Sequence, residues 1–190
     1  MDSCFFSAHR FAPERVFGYR LRPLTLGHVF LLHEIESPYV GYEGQKRVSD
    51  ALLCVFICSQ AHESARAGLQ SVWLRFFFRF WCFFLTQRKL LNGLVALEEY
   101  RADGLRSPEV KRSANTSRSS LESPWPYRLL VLLMSELHLS RSEALSLPVI
   151  EAWNLWCSIA EAKGEVKLRS QFERDLIDYA HRMEASPVAN

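Results

Sequence analysis

Two arginines, Arg75 and Arg79, stand four residues apart inside a run of aromatic side chains. Eight of the chain's 24 aromatic residues fall between Trp73 and Phe84. If the run is helical, the i,i+4 spacing puts both guanidinium groups on one face. Three kinds of chemistry suit such a run. Interleaved Arg and aromatic rings can stack on bases, but this run is far more apolar than nucleic-acid grooves and no recognised binding motif frames it. As a membrane span, the 17 residues Leu69 to Leu85 approach the length of about 20 that a bilayer requires. Two mid-span arginines cost about 2.5–3.5 kcal/mol each on the insertion scale, which roughly a dozen apolar residues nearly offset, so a span is not favoured. As a partner-binding groove, Phe and Trp beside Arg match the residue types enriched at interfaces. The alternative of nearly equal weight is a core helix with Arg75 and Arg79 on its one solvent stripe. On the partner reading, Trp73, Phe76, Phe77, Phe80, Trp81 and Phe84 make contact, and Arg75 and Arg79 steer acidic segments.

Other reactive side chains fall into no catalytic pattern. The six histidines include no i,i+4 pair, since His28 and His33 are five apart, whereas a helical zinc pair needs four. Cys54 and Cys58 have that spacing but no second pair accompanies them, so buried thiols are expected. There is no G-x-S-x-G elbow and no phosphate-binding glycine loop. Sequence neighbours such as His33 and Glu34 diverge by about 100° on a helix, and Glu98-Glu99 reads as a solvated face. No enzyme, cofactor or metal is expected. Five cysteines, an odd number without two pairs at zinc-ligand spacing, indicate a reducing compartment. The opening MDSCFFSAHRF has no apolar stretch of signal-peptide length.

The elements that must position these residues are mostly helical. Counts of 23 Lys+Arg against 21 Asp+Glu and 48% hydrophobic residues describe a globular chain without strong electrostatic steering. Arg15 to Arg22 alternates with period two and reads as a short strand, ended by Pro23. Thr25 looks like an N-cap for a helix Leu26 to Ile35 with Leu26, Val29, Phe30 and His33 on one side. Ser49 is the next cap, before an all-apolar stretch Ala51 to Cys58 that must be buried on all sides. One helix is expected from near Ser64 to Leu91, stopped by Asn92-Gly93, with a short helix following to Gly104. The Ser-rich stretch 104–124 reads as a flexible linker, dividing an N-terminal part, 1–103, from a C-terminal part, 125–190.

In the C-terminal part, Pro126 suits a first helical turn, and Leu129, Leu130, Leu133 and Leu137 form a stripe. Ser140-Arg141-Ser142-Glu143 is a capping box opening a very short helix. Pro148 opens the next helix, with Val149, Ala152, Trp153, Trp156 and Ala160 inward and Glu151, Asn154 and Glu161 opposite. A last helix is expected to carry Leu168, Phe172, Leu176, Tyr179 and Met183. The fold class is all-α or nearly so, with a short N-terminal strand and a C-terminal helical bundle.

Two stretches, YRLRPLTLGHVFLLHEIESPYV (Tyr19 to Val40) and WPYRLLVLLMSELHLSRSEALSLPVIEAWNLW (Trp125 to Trp156), carry a resemblance. The extended segment running into RPLTLGH, and the LSRSEALSLPVIEAW turn between helices, resemble tail assembly chaperones of long-tailed bacteriophages. That resemblance implies a non-catalytic protein of the bacterial host cytoplasm. It would bind the long helical tape-measure protein, help tail-tube subunits assemble around it, and be absent from the mature virion. The major tail protein and a second copy of the chain are further candidate partners; nucleic acid is not. Trp153 and Trp156 are expected to be structural. The competing readings are a membrane protein acting through 69–85 and a structural tail component.

Overall fold

The computed structural model describes residues 15–41, 45–71, 86–106, 110–112 and 123–168. The fold is mostly helical, with seven α-helices and two minimal two-stranded ladders among these residues.

The expected strand over Arg15–Arg22 is instead a hairpin. Strand β1 (Arg15–Val16) pairs antiparallel with β2 (Tyr19–Arg20). Phe17 and Gly18, at φ 50° and 86°, form the turn, the positive-φ pair that a two-residue hairpin needs. Leu21 and Leu24 then run buried beneath the helices. Arg22 N donates to the Cys58 carbonyl at 2.9 Å, and Tyr100 Oη donates to the Arg22 carbonyl at 2.9 Å. This extended stretch is therefore satisfied from two helices at once.

Helix α1 (Leu26–Glu34) is the hub. It packs against α2 (Val48–Ser59) and α3 (His62–Leu69), and also against α5 (Trp125–Glu136) and α6 (Arg141–Ser146). Its buried residues Leu26, Gly27, His28, Val29, Leu31 and Leu32 go nearly all round the helix, as a central helix requires. A 3₁₀ turn at Pro38–Val40 follows, its Tyr39 N–H donating to Ser37 Oγ at 3.4 Å. Helix α2 begins at Val48, and the carboxylate of Asp50 accepts from Arg47 N at 3.1 Å, so Asp50 does the capping expected of Ser49.

The single helix expected from Ser64 to Leu91 is not what forms. Helix α3 ends at Leu69, and α4 (Gln87–Gly104) starts afresh after the extended Thr86. Asn92-Gly93 does not stop α4. Gly93 is interior because the Phe17 ring lies where its Cβ would be, so tertiary packing overrides a local stop signal.

The C-terminal elements follow the sequence more closely. The Ser140–Glu143 box forms as read: Glu143 N donates to Ser140 Oγ at 3.3 Å, and Ser140 N donates to Glu143 Oε2 at 2.8 Å. Pro148 launches α7 (Val149–Ala162). Asn154, expected outward, is buried, while Trp153 and Trp156 are only partly covered. Leu168 lies not in a helix but in β4 (Val166–Leu168). That strand pairs antiparallel with β3 (Val110–Arg112), a strand inside the stretch read as a linker. The rest of the last expected helix, 169–183, lies outside the described residues.

The two stretches that carry the resemblance are bonded to each other. Leu26 N donates to the Leu147 carbonyl at 2.9 Å and Val149 N to the Leu24 carbonyl at 2.8 Å, around a Thr25–Pro148 bridge. One apolar cluster gathers Val29, Leu32, Val55, Ile57 and Leu97, with Val149 from α7. A second joins Leu26 to Leu129, Leu130, Leu133, Ala144 and Ala152. The described residues on either side of 104–124 therefore share α1 as a common core element.

Candidate functional site

Helix α5 has two apolar faces. Leu129, Leu130 and Leu133 point into the core. Tyr127, Val131 and Met134, at i, i+4 and i+7, form one stripe and are 54%, 62% and 38% exposed. Seven residues of helix rise by about 10 Å. A helix apolar on both sides is normally covered on both, so the exposed outer stripe is a candidate binding face.

At its N-terminal end the stripe opens into a cleft of about 420 Å³ bounded by α1, α3, α5 and α6. The Tyr127 ring meets Phe30 edge-on, centroids 4.7 Å apart at 86°, and Leu31, Pro126 and Leu145 continue the apolar wall. The polar lining comprises His33, Glu34, His62, Arg66 and Arg141. Arg66 Nη2 lies 3.3 Å from Glu34 Oε2, with both side chains more than half exposed.

Three local devices position these groups. The first is the Thr25–His28 box. His28 N donates to Thr25 Oγ1 at 3.3 Å, and Thr25 N donates to His28 Nδ1 at 3.2 Å. Nδ1 is thereby the acceptor and Nε2 carries the proton, donated to the Gln60 carbonyl at 2.8 Å. This imidazole ties the start of α1 to the α2–α3 junction, and burial holds its pKa down at about 4. The second is Gly27, whose missing Cβ leaves room for the His62 ring; a Cβ there would stand 2.6–2.9 Å from His62 Cγ, Cδ2 and Cβ. The third is the Ser140 box, which fixes the start of α6 and hence Arg141. The hydrogen bonds from Ser140 also hold the Glu143 carboxyl below its usual value.

The cleft offers guanidinium donors, imidazoles and an aromatic wall. Among its lining residues there is no Ser, Cys, Lys or Asp. Burial lowers the His33 pKa, which disfavours the charged form of that ring. Two of the buried thiols are held in the protonated form. A hydrogen bond to Cys58, then burial, pushes Cys54 up, and burial pushes Cys157 to about 11, while attack requires the thiolate. No group of three or more His, Cys, Asp or Glu among the described residues is placed to hold a metal ion. No described helix is long and apolar enough to cross a membrane.

The eight contact residues expected from the sequence, Trp73, Arg75, Phe76, Phe77, Arg79, Phe80, Trp81 and Phe84, lie outside the described residues. Trp153, only partly covered, stacks on Trp125 at 5.7 Å and meets Trp156 edge-on at 5.4 Å. Sequence reasoning missed the outer stripe of α5. Its signal was present, because Tyr127, Val131 and Met134 make that helix apolar on both sides. The cleft had no such signal, since Arg66 and Arg141 come to line one cleft only through tertiary packing. No protein-family model, curated protein or solved structure matches the chain.

Proposed function

We propose that this chain is a non-catalytic assembly chaperone that covers an apolar helical segment of a client protein. The observation that carries the reading is the exposed Tyr127–Val131–Met134 stripe on a helix whose other face is already committed to the core. An amphipathic helix laid along it would match an i, i+4, i+7 row with its own apolar row, the helix-in-groove mode of recognition. The resemblance of Tyr19–Val40 and Trp125–Trp156 to phage tail assembly chaperones names the client as the tape-measure protein, acted on in the host cytoplasm. The contacts expected at Trp73, Phe76, Phe77, Phe80, Trp81 and Phe84, with Arg75 and Arg79, belong to the same proposal.

Co-expression with a tape-measure protein tests it. The wild-type chain keeps the client soluble and the two co-elute on a sizing column. A Val131→Glu/Met134→Glu variant that retains its helical circular dichroism releases the client to the pellet. No gain of client solubility with the wild-type chain would refute the reading.

A further inference from the structure

We infer that the cleft at the head of the α5 stripe receives an acidic side chain of the client, which takes over Arg66 from Glu34 and gains Arg141. This rests on the client-binding reading and adds to it the charge and polarity of the bound helix. The cleft and the stripe share Tyr127, so a helix lying along Val131 and Met134 brings its end over the cleft. Two arginines on different walls, Arg66 from α3 and Arg141 from α6, line the cleft together with a single carboxylate, Glu34. Arg141 has no ion-pair partner among the described residues, and Arg66 holds Glu34 through one long contact of 3.3 Å between half-exposed groups. A pair that exposed is held weakly and is screened by salt, so another carboxylate can replace Glu34 at little cost. Glu34 in effect marks where a carboxylate sits against Arg66. The Phe30–Tyr127 wall gives the apolar stem of the incoming side chain a surface to cover. Arginine's planar donors suit a carboxylate better than a lysine would.

Fluorescence anisotropy with the full chain tests this, using a fluorescein-labelled amphipathic peptide of about 20 residues. The peptide carries Leu along one face and glutamates at one end of it, and its twin carries Gln in place of each Glu. The acidic peptide binds about three- to tenfold more tightly than its twin at low salt, and the preference fades as salt rises. Glu34→Gln, which removes the internal competitor from an exposed position, widens the preference; an Arg66→Gln/Arg141→Gln variant erases it. Equal binding of the twins to the wild-type chain, with both lost in Val131→Glu, overturns the cleft inference and leaves the stripe reading intact. Binding of neither peptide, or binding that Val131→Glu leaves unchanged, overturns both.

Discussion

Acidification should loosen this fold through one buried imidazole. His28 is almost fully buried, with Nδ1 accepting from Thr25 N and Nε2 donating to the Gln60 carbonyl. Adding a proton to Nδ1 removes that acceptor and places a charge where burial opposes it, and the folded-state pKa is accordingly about 4 against an ordinary 6.5. Between those values the unfolded chain binds a proton that the folded chain refuses, so stability rises with pH in this window and falls as pH drops through it. The contribution is intact above pH 6.5 and fully lost below about pH 4. At about 1.36 kcal/mol per pH unit, the gap corresponds to about 3 kcal/mol, a large share of the roughly 5–15 kcal/mol that holds a typical domain. Urea unfolding of the wild-type chain and of His28→Gln at intervals from pH 7.5 to 4 measures it. The wild-type chain should lose about 3 kcal/mol more than the variant. Parallel pH profiles would refute the reasoning, because every other ionisable group is common to both proteins.

Further outcomes follow from the same contacts. Gly27→Ala gains helix propensity but drives a Cβ into the His62 ring; overpacking of about 1–3 kcal/mol outweighs the gain, thermal unfolding shifts down, and adding His62→Ala recovers the loss. Ser140→Ala removes the hydroxyl that donates to Glu143 Oε2 at 2.6 Å but leaves the backbone N–H bond in place, so the Glu143 titration by NMR moves part of the way up toward the usual carboxylate value. Leu133→Ala, on the buried face of α5, costs about 2–5 kcal/mol, whereas Val131→Ser on the exposed face changes stability by no more than about 0.5 kcal/mol yet weakens client binding.

The parts of the fold legible in the sequence are those fixed within one turn of chain. The Thr25 cap, the Ser140–Glu143 box and the Pro148 start depend on residues three or fewer apart, and all appear as read. The misreadings share a different origin, in partners distant along the chain. Gly93 looks like a helix stop until the Phe17 ring is seen to occupy the space beside it. Leu168 fits a helical period, but it faces Val110 across a ladder too short to show a period of its own. Thr25-Leu26-Gly27-His28 gives away the cap but not its reach, since the Gln60 carbonyl and the His62 ring come from the α2–α3 junction. In the candidate site, the apolar residues of α5 were legible, but which of them faced outward was not. Leu129 and Val131 differ in burial because α1, α6 and α7 approach one side of that helix.

Photocrosslinking from α5 tests the central claim most directly. A benzophenone amino acid at Val131, with a control at the exposed Ala102 of α4, a helix that does not line the cleft, is carried by the full chain in cells that co-express a tape-measure protein. The account predicts a crosslinked product with the client from position 131 and none from position 102. Equal yields from the two positions, or no product from position 131 while the chain still keeps the client soluble, would contradict it.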